Sequence, residues 1–201
     1  MPKKKGPAGS ARERLLAAAS QLFYEEGIHT VGIDRVIEEA GVAKASLYST
    51  FGSKDELVAA YLGARHQARQ RRVAEAIARH ESPRDQILAV FDLLGQIIAE
   101  SDFRGCAFVR ASAEGPPATA VRAAVAQARS WTRALFSELA QSTGAADPDQ
   151  LAHQLVLLYD GATVSAQMDH DAYAAQSARA VAASLIDAAT SRPRAKTARS
   201  A

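Results

Sequence analysis

The chain has 201 residues, 48% of them hydrophobic, and 24 Lys+Arg against 22 Asp+Glu for a formal net charge of +2. That length holds one large domain or two small ones and excludes a large multidomain enzyme, and the apolar content excludes wholesale disorder. A single cysteine, Cys106, excludes an intramolecular disulfide and a cysteine-built zinc site.

Much of the apolar fraction is alanine and only 6% of the chain is aromatic, which points to closely packed helices and an all-α fold. No run of about 18 uncharged apolar residues occurs, so no membrane span is expected. Basic residues open the chain at Lys3-Lys4-Lys5 with no apolar stretch behind them, so no signal peptide is expected and the chain reads as cytoplasmic. The charge is uneven along the chain. Residues 1–80 carry 13 Lys+Arg against 9 Asp+Glu, and residues 81–190 carry 7 against 13. A basic front and an acidic body suggest that one end meets a polyanion, although chance variation in surface charge would look the same.

In chain order, Arg12 to Glu26 places Leu15, Ala18, Ala19, Leu22 and Phe23 on one helical stripe, with Ser10 and Glu13 as a capping box and Gly27 as the stop. A short helix follows over Ile33–Ala40 and is broken by Gly41. Another spans about Lys44 to Thr50 and ends at Gly52. Ser53 caps a long helix that opens Lys54-Asp55-Glu56-Leu57 and runs to about Arg79. Pro83 opens a fifth, with Ile87, Val90, Phe91, Leu94, Ile97 and Ile98 buried. Gly105 to Ala113 reads as a short helix closed by Gly115-Pro116-Pro117, and Ala118 to Thr143 as a long one. Asp147-Pro148 opens a helix from about Asp149 to Met168, and Ala172 to Thr190 forms the last. The expected fold is therefore all-α with about nine helices, between a basic arm (1–9) and a basic tail (191–201) expected to be flexible.

Residues 33–52 carry the functional signal. Two short helices meet at Ala40-Gly41-Val42-Ala43, where Val36, Ile37 and Ala40 must pack on Leu47 and Gly41 permits the sharp backbone change. Such a corner holds its second helix out for a major groove; by the turn alone, an ordinary helical hairpin is the other reading. The flanks add Leu22-Phe23, Gly27, Leu47-Tyr48, Phe51 and Ser53-Lys54-Asp55-Glu56-Leu57. Over about residues 10–60 this order and spacing resembles the DNA-binding domain of the TetR family of bacterial transcription regulators.

The resemblance implies a helix-turn-helix domain over 10–56 and a ligand-binding, dimerising body over 57–190. It implies that Lys44, Ala45 and Ser46 face base edges or adjacent phosphates, and that Tyr48, Thr50 and Lys54 reach backbone phosphates. Arg35 and Thr30 are further DNA candidates. Tyr48 also reads as a core aromatic and Arg35 as a solvated cation. Gly32 stands where a Thr or Ser cap is common, Ala45 where glycine is frequent, and Thr50 where an aromatic or His is common. With one lysine and small residues at the start of the recognition helix, part of the specificity is expected from DNA shape.

The same resemblance implies a homodimer on a palindromic double-stranded operator, because one such helix reads too few base pairs. Leu151, Leu155, Leu158, Ala162 and Ser165, with Ala178, Ala182 and Leu185, are the candidate dimer surface; internal core is the alternative for the same stripes. Phe91, Leu94, Phe108, Trp131, Leu135, Tyr159 and Met168 are candidate walls for a small-molecule pocket. The function implied is a repressor released by that ligand. A ligand-independent architectural DNA binder is the alternative, followed by a thiol- or metal-sensing regulator. Cys106 would sense only if Arg104 or Arg110 lowered its pKa. No catalytic motif and no cofactor site is expected; Asp169-His170-Asp171 is read as a loop, not a metal site.

Overall fold

The computed structural model describes residues 9–113 and 118–191; all but the last residue of the basic arm, the Gly115-Pro116-Pro117 break and nearly all of the basic tail lie outside them. The described residues form nine helices and no strand: α1 (Ala11–Glu26), α2 (Ile33–Ala40), α3 (Lys44–Phe51), α4 (Lys54–Ile77), α5 (Pro83–Ile98), α6 (Ala107–Ala113), α7 (Thr119–Ser142), α8 (Pro148–Met168) and α9 (Ala174–Thr190). None of them is long and apolar enough to cross a membrane.

The caps explain where the helices start. The Ser10 hydroxyl accepts the Glu13 N–H at 3.2 Å and the Glu13 carboxylate accepts the Ser10 N–H at 2.8 Å, closing the capping box of α1. Ser53, Ser82 and Asp147 accept N–H groups from Glu56, Asp85 and Gln150 and start α4, α5 and α8. The last helix starts two residues later than its sequence suggests, because the Asp171 carboxylate takes the Tyr173 N–H at 2.8 Å and holds that stretch as a turn. Asp169-His170-Asp171 lies in the loop before α9, with His170 at φ 53°.

The chain folds as two compact units. One runs to Arg72 and takes in Glu100–Trp131; the other comprises Val73–Ala99 and the chain from Thr132 onward. This division differs from the expected cut at residue 56. Leu57, Val58, Tyr61 and Leu62 of α4 are buried in the same cluster as Leu15, Leu22, Phe23, Val36 and Leu47, and Ala107, Ala111 and Val121 of α6 and α7 join them. The first unit is thus α1–α3 together with most of α4, α6 and the first half of α7. Phe23 meets Tyr61 edge-on at its centre, with ring centroids 5.7 Å apart.

In the second unit α9 packs on both α5 and α8. Its packing face is almost all alanine (Ala174, Ala175, Ala178, Ala182), which allows close approach: a Cβ built on Gly95 of α5 would lie 3.6 Å from that of Ala175. Phe91, Phe136 and Tyr159 form a ring cluster with centroids 5.8–6.3 Å apart. Two exposed ion pairs tie α5 to α9, Arg84 to Asp187 in a fork at 2.7 and 3.0 Å and Arg179 to Asp92 at 2.7 Å. The guanidinium bonds hold the Asp187 carboxyl below its ordinary range.

Candidate nucleic-acid interface

The corner between α2 and α3 is set by Gly41, which takes the left-handed conformation at φ 59° and ψ 43°. Its N–H bonds the Glu38 carbonyl at 3.1 Å and the Val42 N–H bonds the Ile37 carbonyl at 3.3 Å, the paired bonds of a Schellman motif. Any residue with a Cβ would be strained at that φ. Beneath the corner Val36, Ala40 and Leu47 are buried in the cluster shared with α1, and Ile37, Val42 and Phe51 pack against it.

Leu47 is the one fully buried residue of the eight in α3. The helix is about 12 Å long by its rise, close to the width of a major groove. Its remaining surface carries hydroxyls, one ammonium and one phenol. Lys44, Ala45, Tyr48 and Ser49 are exposed, and Ser46 and Thr50 are half-buried. Tyr48 is 49% exposed and therefore no core aromatic. Ala45 offers only a methyl, which can meet a thymine methyl or sugar but cannot donate a hydrogen bond.

Several of these groups already hold partners within the unit. The Lys44 ammonium donates to the Asp34 carboxylate at 2.9 Å across the turn, and that bond raises its pKa. Arg35 pairs with Glu26 at 3.6 Å, both well exposed, so its charge reaches solvent with a carboxylate beside it. Thr50 gives its hydroxyl hydrogen to the Ser46 carbonyl at 2.5 Å, so a phosphate contact from Thr50 requires breaking that bond. Ser49 also donates to the Ser46 carbonyl, at 3.2 Å. Lys54, the first residue of α4, is half-buried with its ammonium 6.0 Å from the centre of the Phe23 ring. That position sets a cation at a helix N-terminus, where anions gather. Thr30 is exposed in the turn before α2.

Within the same unit α1 is tied to the segment that begins α6. The Tyr24 hydroxyl accepts the Arg104 N–H at 2.9 Å and donates to the Gly105 carbonyl at 3.3 Å. Arg110 donates to the Tyr24 carbonyl at 2.6 Å, and the Arg65 guanidinium lies 3.7 Å from the Tyr24 ring centre. Cys106 is half-buried beside this network. Arg104 donates to the Ser101 and Phe103 carbonyls and Arg110 to the Tyr24 carbonyl. Among the described residues no group of three or more His, Cys, Asp or Glu could hold a metal.

The candidate pocket residues divide between the units. Phe108 and Trp131 are half-buried in the first, where they surround His66 and Arg69, two residues with no recognisable signal in the sequence. Phe91, Leu94, Leu135 and Tyr159 belong to the second, where Phe91 and Leu94 are buried. Met168 is 74% exposed at the end of α8 and walls no interior of its unit.

The candidate dimer residues need a larger correction. Leu151, Leu155, Ala162, Ala178 and Ala182 are buried inside their own unit, so they form its core and present no surface. Leu158, Ser165 and Leu185 are half-buried. The exposed large apolar residues are Leu157, Val164 and Met168 on α8 and Val181 on α9, with Leu157 56% exposed. These helices carry two apolar stripes, and composition cannot tell which faces inward.

Residues 15–61 match the model of the family described as bacterial regulatory proteins, tetR family. The HTH-type transcriptional repressor NemR of Escherichia coli (strain K12) is 30% identical over 167 residues, which is 78% of this chain and 84% of that protein. The HTH-type transcriptional activator FasR of Mycolicibacterium smegmatis is 45% identical over 56 residues, 28% of this chain and 26% of that one. The crystal structure of SCO4454, a TetR-family transcriptional regulator from Streptomyces coelicolor, superposes with a TM-score of 0.84 at 33% identity, covering 90% of this chain and 96% of that one.

Proposed function

Because the chain belongs to the TetR family of bacterial regulatory proteins and is a helix-turn-helix, DNA-binding transcription regulator, not an enzyme, we propose that it works as a homodimeric repressor relieved by a small molecule bound in its helical body. The observation that carries this reading is the exposed polar face of α3, anchored by Leu47 and Phe51 and held out by the Gly41 corner. Lys44, Ala45 and Ser46 meet base edges or nearby phosphates, and Tyr48 reaches the backbone. Lys54 meets a phosphate with help from the α4 dipole, and Arg35 and Thr30 flank the site.

Two copies are needed, because one eight-residue helix reads too little sequence for an operator. The exposed aliphatic residues Leu157, Val164 and Val181 support a two-fold contact through α8 and α9. The repressor sign is supported by the relative aligned over most of its length, whereas the activator matches only across the DNA-binding segment. Ligand control is supported by the bonds from Tyr24 to Arg104, Gly105 and Arg110, which give α6 a direct hold on α1. A ligand that prefers a state whose two recognition helices no longer span both half-sites weakens operator binding by that preference.

Mapping the bound sites in the cell and comparing transcripts with and without the protein tests the sign. Genes beside bound sites should rise when the protein is removed. A fall would make it an activator.

A further inference from the structure

We propose that His66, Arg69, Phe108 and Trp131 form a recognition site for a planar organic anion, an aromatic carboxylate in the first instance. This rests on the reading that the body binds a small molecule, and names its chemical class. His66 is 5% exposed, yet its Nδ1 is buried with no hydrogen-bond partner among the described residues. A buried ring nitrogen without a partner forfeits its hydration for nothing, and Phe or Leu in its place would avoid that loss. A ligand that supplies the missing bond makes sense of a histidine there.

The surroundings define what the ligand is. The imidazole stands nearly perpendicular to Trp131, with centroids 5.4 Å apart, and to Phe108, at 6.2 Å. One turn further along α4, the Arg69 guanidinium lies 5.1 Å from the Phe108 centroid and 5.0 Å from that of Trp131, and it donates to the Ala128 carbonyl at 3.2 Å. Three helices thus bring two flat apolar rings, one cation and one imidazole together within a single compact unit. Burial first, and the Arg69 charge second, lower the His66 pKa and so favour the neutral ring. The field that resists a second positive charge favours a negative one. A neutral imidazole in the right tautomer presents one N–H, and a carboxylate oxygen accepting it from Nδ1 satisfies the orphaned nitrogen. The rings suit a flat apolar body attached to that carboxylate.

Trp131 is the single tryptophan of the chain, so its indole N–H gives one resonance that reports on this cluster. The full chain is titrated with benzoate and cinnamate, with benzamide as the neutral counterpart. Both acids should shift the resonance saturably, benzamide should bind roughly tenfold more weakly or worse, and His66→Phe should weaken the acids by a similar factor. His66→Gln, which keeps a donor, should retain part of the affinity. The proposal fails if neither acid gives a saturable shift, or if benzamide binds as well as the acids. The benzamide comparison needs no variant, so it decides even if a substitution prevents folding. Operator release is measured on the same preparations. Saturable binding of the acids without release upholds this site and overturns ligand control, while release by the acids that is unchanged in a folded His66→Phe overturns this site and leaves ligand control standing.

Discussion

The α3 helix and the pair α8–α9 expose side chains of opposite kinds. Leu47, fully buried, and Phe51, packed half-buried on the same cluster, anchor α3, and what remains outside is an ammonium, hydroxyls, a phenol and a methyl. The α8 helix buries Leu151, Leu155, Val156, Ala162 and others, and still leaves Leu157, Val164 and Met168 outside. A polar face on so small an apolar anchor suits a hydrated groove lined by phosphates and base edges. An aliphatic face over a complete core suits a second aliphatic face. Exposure therefore separates the two by chemistry: α3 suits DNA, and α8 and α9 suit the second copy of the chain that the proposed dimer supplies.

The sharpest way to break this contrast is to remove the anchor of α3. Leu47→Ala deletes a fully buried side chain at the corner and should lower stability by about 2–5 kcal/mol, read by chemical denaturation, with loss of DNA binding. Ser49→Ala on the exposed face should stay within about 0.5 kcal/mol. The double variant Leu157→Lys with Val164→Lys should leave the fold intact and shift the protein to monomer in sedimentation. Covering these partly exposed side chains would contribute about 1–2 kcal/mol each. A dimer as tight as the parent would place the contact elsewhere.

How much of this was legible in the sequence follows the same contrast. The α2–α3 corner is written in a few residues at fixed spacing, and α2 spans Ile33–Ala40 as its pattern suggests, because a left-handed glycine and one buried knob leave little choice. In α8 and α9 the apolar residues are too numerous to choose a face, so core positions such as Leu155 and Ala182 read as surface. The pairing of Asp34 with Lys44 spans a turn that no local pattern reports. The Thr50 bond to Ser46 did have a signal, since a threonine inside a helix commonly donates to the carbonyl four residues back. His66 had none: an isolated histidine on a helix reveals its burial only when α6 and α7 close over it.

Smaller effects sharpen the DNA half. Lys54→Ala should weaken binding to all duplexes alike and reduce the slope of affinity against salt by about one; a sequence-selective loss would make it a base reader. Tyr48→Phe should cost operator affinity by about 1 kcal/mol without changing the sedimentation of the free protein. Smallest of all, Asp34→Asn frees Lys44 from an exposed partner and should raise affinity by a few-fold at most, since such pairs contribute about 0–1 kcal/mol. A fall in affinity would contradict this.

The central claim, a two-fold dimer reading an operator through α3, is tested most directly by selecting bound sequences from a random duplex library at near-physiological salt. The account predicts a palindromic consensus whose half-sites lie about one helical turn apart. Salt-sensitive binding with no consensus would contradict it and favour an architectural DNA binder.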